Sequence, residues 1–172
     1  EDTRTTAKLL QKYDIRTPTL SYHSHSKLAK VEKIFELFED GKNVALVSDA
    51  GTPTISDPGV LLVRQVKKYF NDEVRVVPIP GPSAVITALS ASGVSSAEFL
   101  FLGFLPHKKG RETLFKEITG TKRAVVFYES PHRILKTLES LKPHTPTRHI
   151  VLARELTKIH EEVLRGKIET LL

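Results

Sequence analysis

Short apolar runs that alternate with stretches of helical period constrain this chain more than any other feature of its sequence. Leu28, Val31, Ile34, Phe35 and Phe38 share one face at helical spacing, which predicts a helix from near Ser26 to Asp40-Gly41. Asn43 to Ser48 (NVALVS) follows as a short strand, apolar throughout its centre. Val60, Val63, Val66, Tyr69 and Phe70 then mark a second helix, Val74 to Ile79 (VRVVPI) a second strand, and Ser83 to Ser92 a third helix rich in Ala and β-branched residues. Strands that are apolar on both faces and alternate with helices form largely parallel sheets covered on both sides. The expected fold class is therefore α/β.

Near 91–97 the composition turns small and polar (SASGVSSA), which places a domain boundary there and divides the chain into lobes 1–94 and 95–172. The alternation then restarts. Glu98 to Phe104, Ala124 to Tyr128 and Ile150 to Ala153 read as strands, and Arg111 to Thr119 reads as a helix with Leu114, Phe115 and Ile118 inward. Pro131 suits the first turn of a further helix, whose apolar stripe is Ile134, Leu135, Leu138 and Leu141.

Composition removes whole classes of function. With no Cys in 172 residues, disulfide scaffolds, thiolate zinc sites and cysteine nucleophiles are excluded, and a cytoplasmic location fits. No apolar run approaches the roughly 20 residues that cross a bilayer, so no membrane partner is expected. His23-Ser24-His25 could hold a metal only with further converging ligands, and no metal site is expected. The formal net charge of +6 is unevenly placed: residues 1–94 carry 12 basic and 11 acidic side chains, residues 95–172 carry 14 and 9. A basic second lobe suits a polyanion such as nucleic acid, although surplus Lys and Arg also serve solubility alone.

Four loops follow strand ends, where open α/β sheets bind ligands: Asp49-Ala50-Gly51-Thr52-Pro53, Pro80-Gly81-Pro82-Ser83-Ala84, Glu129-Ser130-Pro131-His132-Arg133 and Arg154-Glu155-Leu156-Thr157-Lys158. Any one of them reads equally as a turn, but four in register read as a site. No G-x-G-x-x-G fingerprint and no phosphate loop is present, which disfavours dinucleotide and triphosphate enzymes, and Ser130 beside His132 lacks the G-x-S-x-G elbow of a hydrolase.

Six strings occur in order along the whole chain: EDTRTT (Glu1 to Thr6), ALVSDAGTPTISDPG (Ala45 to Gly59), PIPGPSAVITALSASG (Pro78 to Gly93), FLGFLPHKKG (Phe101 to Gly110), FYESPHR (Phe127 to Arg133) and LARELTKIHEE (Leu152 to Glu162). Together they closely resemble the small-subunit ribosomal RNA methyltransferase I branch of the tetrapyrrole (corrin/porphyrin) methylase superfamily. The resemblance implies a two-lobed fold with a cofactor cleft between the lobes. It also implies S-adenosylmethionine as cofactor, 2′-O-methylation of a cytidine in 16S ribosomal RNA as reaction, the small ribosomal subunit or its RNA as partner, and a homodimer. Residue by residue it implies cofactor contacts at Ala50, Gly51, Thr52 and Ile55 in the first lobe and at Ser83 and Ala84. Glu129 and Leu156 would contribute from the second lobe through backbone groups. Thr52 stands where the corrin enzymes carry an acid.

Methyl transfer to a ribose hydroxyl needs alignment and help in losing the proton. Glu129 and Asp2 are the candidate catalytic residues, as proton acceptor or substrate positioner. Arg4, Lys108, Lys109, Arg133, Arg154 and Lys158 are the candidate substrate contacts, phosphates being the target. For each cation the competing reading is an ordinary salt bridge. The family pattern places a strand and helix before Glu1 and further strands after Leu172, and the chain has no Met, so it is expected to be an excerpt that binds adenosylmethionine weakly. A same-fold methyltransferase for a corrin precursor and a non-catalytic RNA-binding module remain the alternatives.

Overall fold

The computed structural model describes residues 2–23 and 28–172, and contacts divide the chain into two compact units, Glu1–Pro82 and Ser83–Leu172. The first unit contains three helices, α1 (Thr3–Lys12), α2 (Leu28–Glu39) and α3 (Gly59–Phe70). The amphipathic stripes of α2 and α3 meet in a core of Ile34, Leu62, Val66 and Phe70, with Phe35, Phe38, Tyr22, Leu46 and Val74 packed around it. Phe35 and Phe38 both approach the Phe70 ring edge-on, with centroids 5.1 and 5.6 Å apart. The expected start of α2 near Ser26 lies outside the described residues. Helix α1, which is not among the elements expected from sequence, opens on Asp2 and buries none of its residues.

Two expectations for this unit are corrected. α3 is apolar over much of its circumference, so period alone offers more than one stripe; docking on α2 selects Leu62, Val66 and Phe70 and leaves Val60 and Tyr69 exposed. The runs 43–48 and 74–79 are not strands: among the described residues both are irregular, and the two sheets are built from residues after 98. Leu46 and Val74 still reach the core, while Val44, Val47, Val76, Val77 and Ile79 remain 38% to 75% exposed.

The second unit carries the α/β alternation. It runs α4 (Ala84–Ser92), β1 (Phe99–Phe104), α5 (Arg111–Gly120), β2 (Ala124–Tyr128), α6 (Ile134–Leu141), a 3-10 turn (Lys142–His144), β3 (Ile150–Arg154), β4 (Glu162–Gly166) and α7 (Ile168–Leu171). β1 and β2 pair in parallel with α5 as their crossover, and β3 and β4 form an antiparallel pair. Leu105, Phe115, Ile118, Leu138, Leu141 and Ile168 make the core. β1 holds one residue more than its partner: between Phe101 and Phe104 the register shifts, and Gly103 adopts φ +63. This is a β-bulge, and the left-handed conformation is one that glycine takes without strain.

The unit boundary falls after Pro82, ahead of the 94/95 position suggested by composition, because α4 packs on β4 and Arg165 Nη1 donates to the Ser92 carbonyl at 3.5 Å. Two expectations for α6 also change. Pro131 sits in the turn before the helix, where the Ser130 carbonyl accepts from the Arg133 and Ile134 N–H groups. The buried face is Thr137, Leu138 and Leu141, and Leu135 is 59% exposed.

Candidate functional site

In the first unit two motif loops meet. Thr52 Oγ1 donates to the Pro82 carbonyl at 2.9 Å, joining segments 30 residues apart. Ser48 Oγ lies 3.2 and 3.1 Å from the carbonyls of Ala50 and Gly51 and fixes the turn, in which Gly51 takes φ +71. Downstream, Thr54 and Ser56 hold positive φ of 75° and 56° although neither is glycine. The Asp57 carboxylate stabilises that shape by accepting from the Thr54 and Gly59 N–H groups at 3.2 and 2.7 Å. Ile55, between the two strained residues, is 53% exposed. The result is a rigid surface of backbone groups and small side chains with an apolar residue held outward, suited to a flat, partly polar ligand.

In the second unit Ser83 caps α4, its Oγ accepting from the Ile86 N–H at 3.5 Å. Ala84, Glu129 and Leu156, three residues that sequence alone placed at the cofactor, line one cavity of about 940 Å³. Most of its other walls are aliphatic or aromatic, including Ala88, Leu89, Phe127 and Leu152. Its volume is within the roughly 300–1,000 Å³ of small-molecule sites. Leu156 stands between Glu155 and Thr157, whose φ values of +50 and +66 are again strained for residues with a Cβ.

The two candidate catalytic acids are both engaged. Asp2 accepts from the Arg4 N–H at 2.9 Å and pairs with the Arg4 guanidinium at 2.6 Å. Those bonds, the side-chain one foremost, hold its carboxyl down at about 2. Its own N–H donates to Asp49 Oδ1 at 3.0 Å. Glu129, with only 3% of its side chain exposed, accepts from the Ser130 N–H at 2.9 Å and from Thr137 Oγ1 at 2.7 Å. It also pairs with Arg133 Nε at 3.2 Å and lies 3.8 Å from Arg111 Nη1.

The candidate phosphate contacts separate into two groups. Arg4 pairs with Asp2, Arg133 with Glu129, Arg154 with Glu162 across the β3–β4 pair at 2.5 Å, and Lys158 with Glu155 at 3.1 Å. Lys108 and Lys109 are exposed, and their side chains pair with no carboxylate among the described residues. Arg111, the end of a 107–111 loop that suits RNA contact by sequence, and Thr137, which sequence reasoning did not single out, complete the Glu129 cluster: Arg111 Nη2 donates to Thr137 Oγ1 at 2.7 Å. The available signal was a hydroxyl on an otherwise aliphatic helical face, one turn after Arg133. Among the described residues no group of three metal-ligating side chains converges, and Ser24 and His25 of the His-Ser-His string lie outside them.

Over residues 1–172 the sequence matches the family described as Tetrapyrrole (Corrin/Porphyrin) Methylases. It is similar to the ribosomal RNA small subunit methyltransferase I of Halalkalibacterium halodurans, 46% identical over 170 residues that make up 98% of this chain and 58% of that protein. The protein of the same name from Thermotoga maritima is 43% identical over 168 residues, 98% of this chain and 74% of the relative. That from Vibrio cholerae is 50% identical over 165 residues, 95% and 56% respectively. The chain thus spans less than two thirds of two of these relatives.

Proposed function

Since the chain belongs to the tetrapyrrole (corrin/porphyrin) methylase family, we propose that it forms part of an S-adenosylmethionine-dependent enzyme that methylates the 2′-hydroxyl of a cytidine in small-subunit ribosomal RNA. The observation that carries the reading is similarity over nearly the whole chain to relatives named for methylating small-subunit ribosomal RNA. Lys108 and Lys109, exposed and without a carboxylate partner among the described residues, agree with an RNA substrate.

The residues present fit the proposed cofactor. An adenosine ring needs a flat apolar slot with a few backbone partners, and the cavity bordered by Ala84 and Leu156 offers one in the second unit. In the first unit Ala50, Gly51, Thr52 and Ile55 are proposed as cofactor contacts, and in the second Ser83 caps the helix that begins at Ala84. The sulfonium supplies an already activated methyl group. The protein therefore has to align the reacting atoms and exclude water more than it has to activate them.

Of the two roles that sequence leaves open for Asp2 and Glu129, the geometry favours positioning over proton acceptance, because the oxygens of both are already committed to guanidinium and N–H donors. The protein is proposed to act as a homodimer in the cytoplasm. Among the described residues no helix is long and apolar enough to cross a membrane.

The test is to incubate the full-length protein with methyl-labelled adenosylmethionine and, in parallel, small ribosomal subunits or a corrin precursor, then map ribose methylation in the RNA and follow label in the corrin. Label on one cytidine 2′-oxygen is expected. Label only on a corrin precursor, or RNA binding with no transfer at all, would overturn the reading in favour of a small-molecule enzyme or a binding module respectively.

A further inference from the structure

We propose that Glu129, Arg133, Arg111 and Thr137 form a buried positioning device that presents Lys108 and Lys109 to RNA phosphates, and that Arg133 acts through the 107–110 loop and not on the RNA itself. This rests on the reading of RNA as the substrate. The four residues come from the end of β2, the turn before α6, the start of α5 and the buried face of α6. Their side chains are largely withdrawn from water: Glu129 is 3%, Arg111 13% and Arg133 24% exposed, and Thr137 is 1% exposed.

Beyond Glu129 and Thr137, the two guanidinium groups reach one stretch of chain. Arg133 Nη2 donates to the Leu105 carbonyl at 3.0 Å, and Arg111 Nη1 donates to the Pro106 carbonyl at 3.0 Å. Arg133 Nη1 also stands 3.2 Å from His107 Nε2. A guanidinium only donates, so that ring nitrogen is the acceptor. The loop is therefore held at three consecutive residues on its entry side. On its exit side the Arg111 N–H donates to the Lys108 carbonyl at 3.3 Å, and Gly110, with φ +85, turns the chain into α5. Arg111 is itself seated over the Phe115 ring, 5.1 Å from its centroid, and Phe115 is fully buried.

Between these anchors Lys108 and Lys109 are exposed and have no carboxylate partner among the described residues. One buried negative charge is set against two part-buried positive ones, so the cluster adds positive potential behind the two lysines. Fixing the loop in advance removes much of the ordering cost that a flexible lysine loop meets when it binds an anion.

A double-mutant cycle with two readouts tests this: affinity for a single-stranded, cytidine-containing oligoribonucleotide as a function of salt, and amide exchange across 106–112. Lys108→Ala with Lys109→Ala should weaken RNA binding roughly tenfold and lower the salt slope by about 1.4, the value for two phosphate contacts on a single strand. Arg133→Gln should speed exchange at 107–110 and weaken RNA binding in the native background, with no further effect once both lysines are gone. Arg133→Lys keeps the charge but lacks the fork that reaches both Leu105 and His107, so it should reproduce the exchange result if the glutamine variant fails to fold.

Independent, additive losses, with the slope falling by a further ~0.7 for Arg133, would overturn the proposal by making Arg133 a phosphate contact. Unchanged exchange at 107–110 in both variants would overturn it too. A native protein that does not bind RNA, while exchange still responds to Arg133, would overturn the RNA reading and leave the loop anchor supported.

Discussion

Thr137 places a hydroxyl on a helical face that period assigns to aliphatic side chains, and the hydroxyl is fully used: it donates to Glu129 and accepts from Arg111. Thr137→Val keeps the shape and leaves a buried carboxylate oxygen and a guanidinium N–H short of a partner. Chemical denaturation should show a loss of about 1–3 kcal/mol, with Thr137→Ser much closer to native. Asp2 yields a pH prediction. Its carboxyl is lowered from 3.8 to about 2 by Arg4, so its contribution to α1 is complete above the unfolded value and disappears as pH falls through about 2. An NMR titration of Asp2 should find the low midpoint, moving upward in high salt because Arg4 is 90% exposed. At this scale the sequence identified Asp2 and Glu129 as important carboxylates and left their role open between base and positioner. Choosing required knowing which cations stand beside them, and for Glu129 one is Arg133, four residues on, while the other is Arg111, a contact that no local pattern encodes.

Among elements, legibility followed how local the cause is. α2, α3, α4 and α5 were placed within a few residues, since period and capping act within a turn or two; Ser83 before α4 and Gly93 after it, at φ +64, are the start and stop signals expected. The same reasoning misphased α3, where apolar residues lie on more than one side and only the partner selects the stripe, and in α6 it placed Ile134, Leu138 and Leu141 correctly but included the exposed Leu135. It also turned 43–48 and 74–79 into strands, since apolar β-branched runs report a preference and not a pairing. β1, β2 and β3 were placed correctly, each with a neighbour in hydrogen-bonding register. Phe115 joins α5 to both the core and the Arg111 cluster. Phe115→Ala should cost about 3–5 kcal/mol and raise amide exchange in the elements of Ser83–Leu172. The exposed Arg154–Glu162 pair, in contrast, should show a coupling of about 0.2–1 kcal/mol in a double-mutant cycle.

For the molecule as a whole, each unit has its own core, around Phe70 in one and Phe115 in the other. The net charge of +6 reads differently once pairs are assigned. Four of the six cations first considered for phosphates already face a carboxylate, and among those six only Lys108 and Lys109 do not. Salt should therefore weaken RNA binding through few contacts: removing the exposed Arg154 and Lys158 should change the salt slope by much less than removing the two lysines, which filter binding across a salt series will measure.

The bulge at Gly103 has a consequence for sequence change in this chain. β1 and β2 agree in register up to Phe101, and the one surplus residue sets the phase of everything after it: Phe104 turns outward and Leu105 turns into the core. Side chains along a strand alternate, so deleting Gly103 would exchange those two and carry the Leu105 and Pro106 carbonyls away from their guanidinium partners. The glycine thus works as a spacer in a counting problem. The distance between strand and lysine loop tolerates substitution of many residues but not the loss of one.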